Sequence, residues 1–197
     1  MPLLLENRVF RNERIVLDQP NLNALSVGLV LQHCELDIRV PAKRLSIHRV
    51  VIEDCVVRTK SPLANFQGWL SCEIRRTRFL GTFKGNDFGS APWEEVRGVA
   101  EALDFSGAVL DSCQMIGSDV EGFVWPTWPN FTIIDPLAHA DELTPPFASW
   151  FPERVQQPPA LSALCFYAPK QLKYLADKSM TVEQLRDALP NAPWLKR

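Results

Sequence analysis

The chain has 197 residues, of which 46% are hydrophobic, and its net charge at pH 7 is −2. That length suits one domain with an appendage and a sizeable core. No apolar stretch approaches the length of a membrane span, and the opening ten residues hold only a brief apolar run, Leu3 to Leu5, before Glu6 and Arg8, which excludes a secretory signal there.

Alternation at Val9, Ile15 and Leu17 predicts a first strand within Phe10–Asp18. Beyond it the chain falls into units of five with a large apolar centre. Leu29-Val-Leu31-Gln-His33 and Cys34-Glu-Leu36-Asp-Ile38 are the first pair. Units centred on Ile47, Ile52 and Val57 follow, then others centred on Phe66, Ile74 and Phe79, with slips at Pro41, Pro62 and 82–99. The register is clearest from Leu103 to Gly122, where the centres are Phe105, Leu110, Met115 and Val120. Small or apolar residues stand two places before these centres, and Gly107, Ser112, Gly117 and Gly122 stand two places after, where a turn would fall. A period of five suits neither regular element. Five helical steps of about 100° rotate successive centres roughly 140° apart, and an odd step along a strand swaps faces. The centres share one side only if the chain turns within each unit, so the pattern predicts a coil of small polygonal cross-section. About 110 residues of repeat would give roughly five coils and a rod about 25 Å long at the ordinary inter-strand spacing.

Cysteine usage agrees. Cys34, Cys55, Cys72 and Cys113 each stand two residues before a centre. The intervals of 21 and 41 residues predict a buried column of thiols, small hydrophobes rather than reactive groups. Cys165 makes the count odd, and without a CxxC pair neither a disulfide framework nor a metal site is expected. A reducing, cytoplasmic setting follows, in which the sequon Asn130-Phe131-Thr132 carries no glycan.

From about Pro136 the character changes. Dense prolines predict an extended linker, followed by two short helices. One starts at Pro169, and the other has a capping box at Thr181-Val-Glu-Gln184 and stops at Pro190. Leu172, Leu175, Leu185, Leu189 and Trp194 are expected to cover an open end of the coil. The division is thus 1–135 as solenoid with an N-terminal capping strand, and 136–197 as linker and helical cap, in one structural domain.

The units resemble the pentapeptide-repeat family, whose unit is Ala/Cys-Asp/Asn-Leu/Phe-X-X. Ala64-Asn65-Phe66 and Leu103-Asp104-Phe105 lie close to it, while Val109 and Gln114 depart from it. The resemblance covers roughly Ala24 to Asp135 and implies a mainly β fold, a right-handed parallel β-helix with a short α-helical C-terminal cap.

Catalytic chemistry has little support. GxSxG, Walker, HExxH and GxGxxG patterns are absent, and Asp87-Phe88-Gly89 lacks the other kinase motifs and reads as a unit centred on Phe88. No enzyme activity, metal or cofactor is expected. Charge by segment is more informative. Residues 91–150 carry ten acids against Arg97 alone, a balance of −9, beside +4 for residues 1–90 and +3 for 151–197. On a rod this predicts a localised acidic patch, edged by Trp125 and Trp128, that attracts a basic partner. Glu94, Glu95, Asp119, Glu121, Trp125 and Trp128 are the expected contact residues. The family resemblance extends to bacterial immunity proteins. It implies a non-catalytic inhibitor of a cognate protein toxin, with a nuclease as the natural basic target, and no direct contact with nucleic acid or membrane. Two other functions stay open, a DNA mimic that protects a topoisomerase and a β-helix enzyme.

Overall fold

The five-residue units wind into a parallel β-solenoid in the computed structural model, which describes residues 2–93, 95–142, 161–175 and 179–197. The first coil holds β1 (Leu3–Leu5), β2 (Val9–Arg11) and β3 (Arg14–Leu17), and the second holds β4 (Asn23–Leu25), β5 (Val30–Gln32) and β6 (Glu35–Ile38). In the third stand β7 (Leu45–Ile47), β8 (Val51–Glu53) and β9 (Val56–Thr59), and in the fourth β10 (Leu63–Ala64), β11 (Glu73–Arg75) and β12 (Arg78–Lys84). The fifth has β13 (Asp87–Gly89), β14 (Val99–Glu101) and β15 (Asp104–Asp111). Strands of successive coils stack in parallel, one sheet running β2-β5-β8-β11-β14 and another β3-β6-β9-β12-β15. Val9, Val30, Val51, Glu73 and Val99 lie in one register row, so the coils take 21, 21, 22 and 26 residues. The long last interval contains the loop 90–98.

The solenoid starts earlier than expected. Residues 3–17 form a whole coil rather than a capping strand, and Asn12 splits the predicted first strand in two at a left-handed corner (φ 55°). Such corners recur in line at His33, Asp54, Arg76 and Ala102 (φ 54°, 52°, 47° and 50°). Each of the first four donates its N–H to a carbonyl of the next coil: Asn12 to Gln32, His33 to Glu53, Asp54 to Arg75 and Arg76 to Glu101, at 2.9–3.1 Å. A second corner column holds Asn7, Gly28 and Arg49. At Gly28 (φ 74°) a Cβ would lie 2.4 Å from Asn7 Oδ1, so this corner needs glycine twice over.

Inside, the unit centres stack. Ile15, Leu36, Val57, Phe79 and Phe105 form one column, and Leu31, Ile52, Ile74 and Ala100 another, all buried. Phe79 stacks on Phe105 at 5.0 Å, and Phe88 meets Phe105 edge-on at 5.3 Å. Trp125 stacks on the free face of Phe105 at 6.2 Å and closes the column. From Leu103 to Gly122 the chain makes nearly one more turn, with Phe105, Leu110 and Met115 fully buried and Val120 half-buried against the core. Gly107 is not a turn. The strand β15 passes through it, and an irregularity at Ser106–Gly107 adds the residue that lets Phe105 and Leu110 both face inward.

The five thiols are all buried, but the expected single column splits. Cys34 and Cys55 do stack, with Cys34 N–H donating to Cys55 Sγ at 3.3 Å. Cys55 N–H in turn meets Thr77 Oγ1, so threonine rather than Cys72 continues that column. Cys72 belongs to another side of the coil and accepts the Val99 N–H on its carbonyl, and Cys113 pairs across to Cys165. The 41-residue interval is a coincidence created by the long fifth coil. Burial pushes the Cys55 thiol up to about 11 and those of Cys72 and Cys165 to about 12.

The cap also differs from expectation. After β16 (Cys113–Ile116), which extends the β13 side, come β17 (Asn130–Ile134), β18 (Leu161–Tyr167) and β19 (Leu195–Lys196). They form a sheet in the order β13-β16-β18-β17-β19, in which β18 runs antiparallel to both its neighbours. The proline-rich reading obscured β18, although Leu161-Ser-Ala-Leu-Cys-Phe-Tyr167 is a strongly apolar run. The helices α1 (Ala168–Gln171) and α2 (Val182–Ala188) follow, and the capping box of Thr181 and Gln184 is present. Leu175, Leu185, Leu189 and Trp194 are buried in a second core with Phe131, Leu164 and Phe166, and so cover the terminal sheet rather than the coil itself. Two buried polar side chains fasten cap to solenoid. Asn130 Nδ2 donates to the carbonyls of Leu110 and Phe166, and Gln171 Nε2 donates to Asp111 Oδ1 at 3.0 Å.

Outward-facing charges form cross-coil ladders. Asp37, buried at 3% exposure, accepts from Arg14 and Arg39 at 2.7 Å each. Burial alone would raise its carboxyl, but the two guanidiniums outweigh that and hold it below the ordinary value.

Phe105→Ala should destabilise the protein by about 3–5 kcal/mol in urea unfolding, whereas Ser106→Ala on the exposed bulge should stay within about 0.5 kcal/mol. The five thiols should resist an aromatic disulfide reagent at mildly alkaline pH and react together on unfolding. Asp37→Asn should cost about 1–3 kcal/mol near neutral pH. Because the folded carboxyl is the more acidic, its contribution is present above about pH 3.9 and fades as pH falls through the lower folded value. The gap between wild type and variant in urea midpoints should therefore hold steady from pH 7 to about pH 3.9 and narrow progressively as the pH falls below that.

Candidate partner-binding cleft

The acids of residues 91–150 map to the last coil and the cap, but they do not form one patch. Stacking places several beside bases of the preceding coils. Glu101 pairs with Arg75 at 3.2 Å, Asp104 with Arg78 at 3.3 Å and Glu95 with Arg49 at 3.8 Å. Asp111 is buried on Gln171. Glu142 accepts from His139 Nδ1 at 2.7 Å, which with the Trp194 indole N–H at 3.2 Å holds its carboxyl below the ordinary value. The segment sum thus overstates the free charge, because a coil shares its outer surface with the coil before it.

Three of the remaining acids gather at one place. Asp119, Glu121 and Asp135 line a cleft of about 600 Å³ between the turn after β16 and the C-terminal strand β19. Trp125 and Trp194 form its aromatic walls, with Phe123 and Val124 beside them. Trp125 is held because Phe105 N–H donates to Val124 C=O at 2.7 Å, placing residue 125 as the next member of the Phe105 column. Trp194 is fixed by stacking on His139 at 4.7 Å and by its bond to Glu142. Asp119 Oδ1 accepts the Glu121 N–H at 3.0 Å, which turns the chain so that both carboxylates are exposed. Among the described residues the one cation in the lining, Lys196, directs its Nζ to the Pro193 carbonyl at 2.7 Å.

Of the expected contact residues, Asp119, Glu121 and Trp125 come together here. Glu95 is exposed but stands apart on the loop 90–98, paired to Arg49. Glu94 lies outside the described residues. Trp128 is not on this face. It stacks on Phe131 at 6.3 Å and packs into the second core. Asp135 and Trp194 were not singled out as contacts. Nothing local marks them, since Asp135 follows β17 and Trp194 precedes β19, and only the antiparallel β17–β19 pairing brings both to the cleft.

The cleft offers carboxylates and aromatic faces but no nucleophile–base pair. His48 Nδ1 meets Ser71 Oγ at 3.0 Å elsewhere, and that hydroxyl donates to the Gly68 carbonyl. Among the described residues no three His, Cys, Asp or Glu side chains are placed to hold a metal, and no described helix is long and apolar enough to cross a membrane. Aromatic walls with unpaired carboxylates suit a cationic side chain, which gains from the ring faces and the charges together. No protein-family model matches the sequence, and no curated protein or solved structure matches it significantly.

Proposed function

We propose that the protein is a non-catalytic binding module that grips a basic protein through the cleft at the C-terminal end of its solenoid. The observation that carries this reading is the contrast in charge. Many carboxylates on the coils, such as Glu53, Asp54, Glu101 and Asp104, have arginine partners, and those that lack one (Glu6, Glu13, Asp18 and Asp87) are scattered, whereas Asp119, Glu121 and Asp135 come together around Trp125 and Trp194 with no ion pair among the described residues. Among functions of this kind, neutralisation of a cognate toxin fits best, and a nuclease, which must carry basic surface, is the natural target. The fold reading that goes with it is a right-handed coil of pentapeptide-repeat type. Support comes from the four inward positions per coil and from the strong right-handed preference of parallel strand connections.

The topoisomerase-protecting DNA mimic draws less support. A mimic needs acid spaced along the rod, and here Arg14, Arg58, Arg75, Arg76 and Arg78 interleave with the acids on the coil faces. An enzyme reading draws on the same cleft, but its carboxylates are exposed to solvent rather than held against a buried proton-transfer partner.

Combined reversal Glu121→Lys and Asp135→Lys should leave the unfolding midpoint near the wild-type value, because both side chains are exposed. Immobilised wild-type protein should retain a basic protein from its own cells, inhibit it at stoichiometric ratio, and lose it at least about tenfold more readily in the reversed variant. Equal retention by the two proteins would contradict the proposal.

A further inference from the structure

Among the described residues the sheet β2-β5-β8-β11-β14 ends at β14 with no strand beyond it. The other long stacks are closed. A bridge from Asp104 to Val124 follows β15, and β18 covers β16. In the β14 sheet the backbone register decides which groups are left over. Val99 N–H donates back to Cys72 C=O, and Glu101 C=O accepts from Arg76 N–H, so the groups of residues 99 and 101 face the fourth coil. Those of residues 100 and 102 therefore face away, while Gly98 N–H turns back to Leu70 C=O at 2.8 Å. In earlier coils the equivalents of Ala102 (Asn12, His33, Asp54 and Arg76) each donate to the next coil. Ala102 keeps their left-handed corner (φ 50°), yet among the described residues its N–H and that of Ala100 have no acceptor.

Space lies alongside. A groove of about 560 Å³ runs between β14 and the 117–122 turn, lined by Gly98, Ala100 and Ala102 on one side and by Gly117, Ser118 and Gly122 on the other, with Glu101 and Asp119. The inward column shrinks here from Leu31, Ile52 and Ile74 to Ala100. Gly98 admits no larger residue, since a Cβ would stand 2.6 Å from the carbonyl oxygens of both Gly89 and Leu70. A row of outward amides and carbonyls beside an open groove is a template for a further strand.

We propose that β14 accepts an extended basic segment of the partner as a sixth strand of this sheet. The inference rests on the binding-module reading and assigns the mode of contact beside the cleft, with Asp119 lining both hollows. Charge selects the occupant. Asp119 and Glu101 line the groove with no cation among the described lining residues, and Arg75, the partner of Glu101, is shared with Glu73, so a net negative charge remains and a lysine- or arginine-bearing strand is attracted. A second copy of this chain paired at the same edge would bring Glu101 and Asp119 against their own equivalents and is disfavoured.

The test uses amide hydrogen exchange by NMR on the full chain, with an acetylated Lys-Val-Lys-Val-Lys peptide as probe and Glu-Val-Glu-Val-Glu as control. Without peptide, Ala100 and Ala102 should exchange fast while His33, Asp54 and Arg76 are protected. Saturating basic peptide should slow Ala100 and Ala102 at least about tenfold, and the acidic peptide should not. Ala100→Pro removes an N–H that holds nothing in the fold, so it should leave the unfolding midpoint near wild type and abolish the protection at Ala102. Unchanged exchange with the basic peptide overturns the proposal, as does protection that rises with protein concentration alone. Perturbation of the Trp125 indole N–H without change at Ala100 and Ala102 overturns strand addition alone. Equal partner retention by the Glu121→Lys, Asp135→Lys variant overturns the cleft reading alone.

Discussion

A corner residue in the left-handed region is strained by about 1 kcal/mol or more unless it is glycine. In this chain Asn12, His33, Asp54 and Arg76 accept that strain, and each gives its N–H to the coil stacked beyond it. A hydrogen bond contributes about 0.5–1.5 kcal/mol net, the same order as the strain. Where another coil receives the amide, the bond offsets the strain of the corner. That dependence makes the coils cooperative: strand, corner and inward side chain are secured together by the next turn of the chain. It also explains why the column of centres can grow from Ile15 and Val57 to Phe79 and Phe105. The corners hold the cross-section, and ring stacking fills it.

The same rule makes the C-terminal end special. Coils cannot stop without leaving amides and apolar faces uncovered. Trp125 closes the Phe105 column, and β18 closes the β16 edge, but β14 has neither. Among the described residues the end is closed on two sides and open on the third. A cluster of acids without ion pairs lies at this same end, because Asp119 and Glu121 belong to the turn that follows the last full coil. Shape and charge at the cleft thus share one origin, the ending of the stack.

Much of this was legible because the period of five has a direct steric meaning. Phe105, Leu110 and Met115 could be placed inside from spacing alone, and so could the capping box at Thr181. What failed were inferences that needed the coil length to stay constant. The loop 90–98 lengthens one coil to 26 residues, so Cys72 and Cys113 fall on different sides. The acidic sum failed for a related reason. Glu101 and Asp104 are far in sequence from Arg75 and Arg78 and adjacent in space. The strand β18 was hidden by the prolines on either side of it, and its partners lie some 30 to 50 residues upstream, where no local pattern points. Asp135 and Trp194 reach the cleft only through that antiparallel sheet, so half of the candidate site could not be read from motifs.

Stacking itself is the claim on which fold, charge ladders and open end all depend, and NMR contacts between backbone protons test it most directly. The account expects a row of cross-coil contacts linking Val30 to Val51, Val51 to Glu73 and Glu73 to Val99, with the Phe79 and Phe105 rings in mutual contact. Helical contacts at three- and four-residue spacing through these segments, with no contact from one row member to the next, would contradict it.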